Sequence, residues 1–550
     1  MDRRSPARLM MGTAVAATVA CTALVSLPAF ALISQHQQPT VVSTAGVDDP
    51  VETGPVLRPS LTRQLGRVGS ATPVRVMVQA GGSTQVARDA VEEAGLTPLL
   101  ELDRIGIVVA AGRAAAVERL EAAGATRVDW ADKKLVEYSN TSHVATRATP
   151  VHEGAMDVDG DGAGDRLRGA GVSVAVVDSG VDGTHPMFDV DGESRVRRNI
   201  KMTCHDLVEG FVDVDACAAD LTAVNDTDTP SVGGHGTHVA GIAAGGVVVD
   251  AAGRELRGAA PDADVIGVST GATLSILSGT LGMYWVLEHH EDPCADQALP
   301  GLPDTCAPVV VVNNSWGPGG GNFSPTSPDT IVQRELVEAG VTVVWASGND
   351  GGDGSANMVN PSSQDPTPGV LSVANYDDAG SGSRDNALDD SSSRGLEGSV
   401  TTYPDLAAPG TNITSACRVY LPICATGLDL ADPDYNTITG TSMAAPHVAG
   451  YVGVLQGLAL EQLGTFLTPQ QVEDLLVDTA HPFGGDREYV ADSRNPRAIT
   501  GTSYDAGHGL VDLTAAVSLL TGAPETVLDP DSCPVDARFT DPAGDASGAL

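Results

Sequence analysis

Lysine is almost missing from this sequence. Three occur in 550 residues, Lys133, Lys134 and Lys201, and arginine supplies the rest of the 31 basic side chains, against 71 acidic ones. The formal net charge is −40. A surface this acidic repels polyphosphates and anionic headgroups, which excludes nucleic acid and anionic membranes as partners. It attracts cations and basic peptides instead. Long apolar runs are lacking beyond residue 27, so a soluble chain without a membrane anchor is expected once the first residues are removed. Internal repeats are absent, which excludes solenoids and propellers. No CxxC pair and no histidine cluster accompanies the cysteines, which argues against a thiolate metal site.

What is present begins with an export signal. Arg3, Arg4 and Arg8 precede an apolar stretch at 9–27, and Ala29-Phe30-Ala31 is a cleavage site of the A-x-A kind. Residues 1–31 are therefore expected to be a signal peptide, and the product to be secreted and extracellular. Disulfides persist there. Cys204/Cys217, Cys294/Cys306 and Cys417/Cys424 are near neighbours that read as three local bridges, although spacing alone does not prove connectivity; Cys533 is left over.

The length exceeds one ordinary domain, and 42% apolar residues suffice for a core. Residues 32–70 are polar and read as a linker. Residues 74–78 alternate as a strand, and 83–95 carry helical spacing with a serine start and a glycine stop. Strand, turn and strand follow at 99–111, a second helix at 114–123 and a last strand at 126–138. This β-α-β-β-α-β order predicts a small α+β split-βαβ domain over 71–140. Residues 139–150 are polar and unpatterned. From about 170 the texture changes. Short β-branched runs at 172–177, 263–268, 309–312, 341–345 and 370–373 alternate with helical stretches such as 281–289 and 329–339. That pattern predicts an α/β domain over 141–521, a parallel sheet flanked by helices on both faces. Active sites of such sheets gather beyond the carboxyl ends of the strands. Residues 522–550 read as an acidic, disordered tail.

Three segments carry chemistry. The run at 172–177 leads into Asp178-Ser179-Gly180. A carboxylate at the end of a buried strand is held rigidly and can fix the tautomer of an imidazole; Asp-Ser-Gly is also an ordinary turn. His235 stands in Gly233-Gly234-His235-Gly236-Thr237-His238-Val239-Ala240-Gly241, at the start of a small-residue helix. His238 is three residues away, but no third metal ligand is evident. Ser442 stands in Gly440-Thr441-Ser442-Met443-Ala444-Ala445-Pro446-His447-Val448-Ala449-Gly450. At a helix start the unpaired N–H groups favour a developing negative charge. A lone serine there is a cap. Pro446 is assigned to the first turn, where proline is tolerated.

Together these segments resemble the signature segments of the subtilisin-like peptidases, in that family's order Asp, His, Ser. The resemblance covers about 170–521. It implies a serine endopeptidase working through an acyl-enzyme on Ser442, with His235 as base, Asp178 as its orienting carboxylate, and His238, His447 and Asp182 outside the triad. It also implies that Asn349, in Ala346-Ser347-Gly348-Asn349-Asp350, stabilises the oxyanion with the N–H of Ser442; Gly-Asn-Asp is a good turn as well. Ser315, Trp316 and Gly317 match one wall of the family's substrate pocket, Ala346, Ser347 and Gly348 the other, and 271–280 the opposite substrate edge. The indole of Trp316 either narrows the pocket, stacks on an aromatic substrate, or packs in the core.

Cations are a separate matter. Asp157, Asp159, Asp161 and Asp165 occupy positions 1, 3, 5 and 9 of a calcium-loop pattern, but position 12 is Arg168. A partial structural calcium site is expected, with no cofactor for the chemistry. Resemblance further makes 71–138 a propeptide that assists folding and inhibits intramolecularly until cleaved between about 138 and 150. The expected partners are protein or peptide substrates and this propeptide, with the enzyme a monomer.

Overall fold

The computed structural model describes residues 70–525, with Leu57 and Leu65, apart from 82, 103–105, 131–138, 204–213, 229–232, 252, 272–274, 296–304, 385–386, 419, 422, 425–431 and 485–486. The expected signal peptide, nearly all of the linker, the tail from 526, and Cys204 and Cys533 lie outside the described residues. The chain divides into two compact units between Lys134 and Leu135.

The first unit runs β1 (Pro73–Gln79), α1 (Thr84–Glu93), β2 (Thr97–Leu102), β3 (Ile107–Arg113), α2 (Ala114–Val117) and β4 (Arg127–Trp130). Its sheet has the order β2-β3-β1-β4, all neighbours antiparallel. Alternation explains the core: Val74, Val76 and Val78 are buried and meet Ala87, Ala90 and Val91 of α1. Ser83 caps α1 by accepting the Val86 N–H at 3.3 Å. The helix expected at 114–123 stops at Val117, where the chain tightens into i→i+3 turns at Arg119 and Leu120.

The second unit opens with α3 (Ser139–Ala145) and α4 (Ala148–His152). This corrects the reading of 139–150 as unpatterned. Its apolar residues are few, but Ala145, Ala148 and Val151 are fully buried, together with Ser142, His143, Thr146 and His152. Polar side chains that find partners inside leave no hydrophobic period to detect.

There follow β5 (Ser173–Asp178), β6 (Val196–Met202), β7 (Ala218–Asp220), α5 (His235–Ala244), β8 (Asp264–Ser269), α6 (Ile276–His289), β9 (Val309–Asn314), α7 (Pro328–Glu338), β10 (Thr342–Ala346), β11 (Val370–Tyr376), β12 (Leu406–Pro409), β13 (Ile413–Ala416), β14 (Tyr435–Ile438), α8 (Thr441–Leu463), α9 (Pro469–Thr479) and α10 (Leu513–Thr521). Eight strands form one sheet in the order β12-β11-β10-β9-β5-β8-β6-β7, parallel except for β7. Every residue of β5, β9, β10 and β11 is buried. Alternate side chains feed two cores. Val174, Val176, Val344 and Leu371 join α5 and α8 on one face. Ala175, Val177, Val343 and Trp345 join α6 and α7 on the other. Both faces are dry, so these strands read as unbroken apolar runs. β6 escapes that signature because it carries Arg197, Arg198 and Lys201, and β12 because it has only four residues, Leu406-Ala407-Ala408-Pro409.

Two of the three expected bridges are described, Cys294–Cys306 and Cys417–Cys424. Cys217 is disulfide-bonded too, while Cys204 lies outside the described residues. Against the expectation that no later segment could cross a bilayer, α8 is long and apolar enough among the described residues. It is the central core helix, however, and its apolar window is 94% buried.

Candidate active site

The carboxyl edge of the sheet gathers the singled-out residues. β5 delivers Asp178, fully buried, at its last position. Asp178 Oδ1 accepts the Ser179 N–H at 2.6 Å and faces His235 Nδ1 at 2.8 Å. His235 is the first residue of α5, and its side chain is 20% exposed. The helix reaches β5 this closely because Gly236 has no side chain: a Cβ there would stand 2.3 Å from the Gly180 carbonyl oxygen. Burial by itself would lower the pKa of His235. The charge of Asp178, its hydrogen bond and the charge of Asp228 outweigh burial and raise it above the ordinary 6.5.

Ser442 is the second residue of α8. Its Oγ donates to the Ser315 carbonyl at 3.1 Å. Ser315 follows β9, the parallel neighbour of β5, so the residue that holds the Ser442 hydroxyl and the Asp178 carboxylate stand at adjacent strand ends. Trp316 ties the two ends together, its indole N–H donating to the Val177 carbonyl at 2.9 Å. No hydrogen bond joins Ser442 to His235 among the described residues; the hydroxyl, free to turn about one bond, is engaged by the carbonyl of Ser315.

Pro446 is the sixth residue of α8, not a member of its first turn. A proline there removes the N–H that would bond to the Ser442 carbonyl. The Ser315 hydroxyl supplies the missing donor at 2.9 Å, and itself accepts from Asn313 Nδ2 at 3.0 Å. The helix therefore stays intact through a proline, and Ser442 is clasped from both of its oxygens.

Asn349 stands beyond β10. Its Oδ1 accepts the Thr441 N–H at 2.9 Å and the Thr441 hydroxyl at 3.0 Å. That anchoring leaves Nδ2 as the amide's donor, in a cavity of about 250 Å³ that Ser442 also lines. The Ser442 N–H, in the first turn of a helix, has no intrahelical acceptor. Ser315, Trp316, Gly317, Ala346 and Gly348 line the same cavity. Ser347 does not; its backbone N–H donates to the Val373 carbonyl and its side chain is fully buried. Trp316 resolves toward packing: its ring meets Trp345 edge-on at 4.8 Å, and a Cβ on Gly279 of α6 would lie 2.2 Å from it. Asp350, not singled out in the sequence, adds an exposed carboxylate to the cavity wall. Of 271–280, residues Ile276 to Thr280 are the first turn of α6 and offer no extended edge, while 272–274 lie outside the described residues.

His238 and His447, the other histidines of the two motifs, are structural. His238 faces the Asn436 carbonyl at 2.9 Å, and burial pushes it down to about 3. His447 faces the Met443 carbonyl and Ser142 Oγ, and burial pushes it down to about 4. Asp182 pairs with Arg418 at 2.8 Å. Of the four acidic-loop residues, Asp157, Asp159 and Asp165 bring carboxylate oxygens within 4.8 Å of one another. Asp161 does not join them; it accepts the Ala163 N–H at 2.7 Å.

An imidazole held by a carboxylate, a hydroxyl at a helix start and an amide donor are the equipment of the serine hydrolases. The model of the subtilase family matches residues 169–509, and this chain belongs to that family. Serine protease AprX of Bacillus subtilis (strain 168) is 31% identical over 325 residues, 57% of this chain and 62% of that protein. The extracellular basic protease of Dichelobacter nodosus is 34% identical over 296 residues, 52% of this chain and 39% of that protein. Fervidolysin of Fervidobacterium pennivorans is 30% identical over 367 residues, 64% of this chain and 41% of that protein. Its crystal structure aligns at a TM-score of 0.45 and 23% identity, over 84% of this chain and 62% of that one, too little to bear on any residue. The chain thus spans 39% to 62% of the length of these three curated relatives.

Proposed function

We propose that this protein is a secreted serine endopeptidase. Ser442 Oγ attacks the peptide carbonyl, and His235 takes its proton and returns it to the leaving amine. Asp178 holds the imidazole, and Asn349 Nδ2 with the Ser442 N–H stabilises the oxyanion. The observation that carries this reading is the 2.8 Å contact between His235 and buried Asp178 at the carboxyl edge of the sheet. Extracellular relatives and an expected signal at 1–31 support secretion. A fluorophosphonate probe should label the processed protein at Ser442, and Ser442→Ala should lose both labelling and casein hydrolysis. Persistent hydrolysis by that variant would sink the reading.

The small split-βαβ unit is the propeptide in this reading. Its removal falls upstream of Ser139, since a cut within 139–150 would separate buried helices from the core they join; N-terminal sequencing of secreted enzyme checks this. The carboxylates of Asp157, Asp159 and Asp165 are an all-oxygen set that suits structural calcium. Chelation should then lower the melting temperature by several degrees, and excess calcium should restore it.

A further inference from the structure

His235 starts a helix that has no cap of its own. The preceding residue, Gly234, occupies the N-cap position with φ +95° and no side chain. Nothing larger fits: a Cβ there would lie 2.6 Å from Cys424 Sγ and 2.7 Å from Ile423 Cγ2. The first-turn Gly236 N–H is taken by Ser179 Oγ at 3.0 Å, and the residues on either side of His235 and Gly236 are clasped by Asp228. Its Oδ1 accepts the Gly234 N–H at 2.9 Å, and its Oδ2 accepts the Thr237 hydroxyl at 2.6 Å. One carboxylate thus grips the residue before His235 and the residue two places after it.

Asp228 is anchored in turn to the loop that follows Asp178. Thr227 and Val181 exchange two bonds: Thr227 Oγ1 accepts the Val181 N–H at 2.9 Å, and the Thr227 N–H donates to the Val181 carbonyl at 3.1 Å. The chain lies so close that a Cβ on Gly180 would stand 2.4 Å from the Thr227 carbonyl oxygen. Asp226 bridges Asp182 in an antiparallel pair. The Thr237 hydroxyl closes the circuit by accepting the Asp182 N–H at 2.8 Å.

We infer that Asp228 is a positioning residue, the clasp that locks the start of α5 onto the turn carrying Asp178 and so keeps imidazole and carboxylate in register. This rests on the proposed protease reading. Asp228 acts through the helix start, not on the substrate. The charged and titratable groups facing it are Asp226, Asp182, Lys201, His235 and Tyr420, with Arg418 bound to Asp182. Burial first, then the charges of Asp226 and Asp182, push it up to about 7 against the hydrogen bonds from Gly234 and Thr237. Its negative charge is one of the influences that raise His235.

The test uses processed enzyme carrying Asp228→Asn or Asp228→Ala. In the alanine variant kcat should fall by roughly 10- to 100-fold with KM within about two-fold, the scale of a misplaced catalytic group. In the asparagine variant the acid limb of kcat/KM should move to lower pH, because a negative charge near the base is gone. A structural role alone would not move that limb. The low-field proton resonance of the Asp178–His235 bond, titrated without substrate, should show the same displacement. If the alanine variant does not fold, Thr237→Val, which removes half of the grip, must reproduce the kcat loss. Unchanged kcat and an unchanged limb in an active, folded asparagine variant would overturn the proposal. A displaced resonance in a protein that hydrolyses nothing would uphold it while defeating the protease reading.

Discussion

Four buried or nearly buried histidines of the second unit show how environment alone sets the role of a side chain. His152, His238 and His447 have carbonyl or hydroxyl partners, and burial holds their pKa at about 3, 3 and 4. His235 has Asp178 at 2.8 Å and is shifted upward instead. A general base works in its neutral form, so activity should fall as pH drops through a value above 6.5. A plot of kcat/KM against pH for the processed enzyme checks this; a midpoint below 6 would contradict it. In stability the dependence runs the opposite way. The favourable contribution of His235 is complete below pH 6.5 and is lost as pH rises through its folded pKa. Trp316 makes the complementary point. Its indole is consumed by Val177, Trp345 and α6, so the cavity is bounded by a side chain whose ring belongs to the core.

Elements matter here through the closeness of two helices. α5 brings His235 and α8 brings Ser442, and both pack on the same face of the sheet. Their approach depends on Gly450, where a Cβ would meet the Ala243 carbonyl oxygen at 2.4 Å and Ala259 Cβ at 2.5 Å. Backbone and short side chains cannot yield as a long side chain would. Gly450→Ala should therefore cost about 1–3 kcal/mol, the range for overpacking a dense core, and urea unfolding would measure it. An unchanged unfolding midpoint would show that the helices can part without strain. α3 and α4 were hidden from the sequence for a related reason. His143 reaches the Arg257 carbonyl and Thr146 reaches Tyr451 Oη at 2.6 Å, so the segment is buried by hydrogen bonds, not by an apolar stripe.

At the scale of the molecule, the formal charge of −40 predicts that the proposed protease draws in basic peptides. Attraction between an acidic surface and a basic peptide is screened within about 10 Å at 0.1 M salt. For an arginine-rich peptide kcat/KM should fall several-fold between about 0.02 and 0.5 M salt, while a neutral peptide should change little; equal behaviour of the two would discount steering. Much of the fold was legible beforehand, because strands dry on both faces must be unbroken apolar runs, and β5, β8, β9, β10 and β11 fall on such runs. β6, β7 and β12 were not, since β6 carries Arg197, Arg198 and Lys201 and the other two are only three and four residues long. Sequence alone determined which chemical groups are available: motif order named Asp178, His235 and Ser442, and glycines marked where chain must pass close to chain. Only the tertiary structure decided that Ser315 replaces the hydrogen bond Pro446 removes, that Ser347 turns from the cavity Asp350 joins, and that Asp228 clasps the start of α5. Those are contacts between residues far apart along the chain, and no local periodicity encodes which distant partners a folded backbone will set side by side.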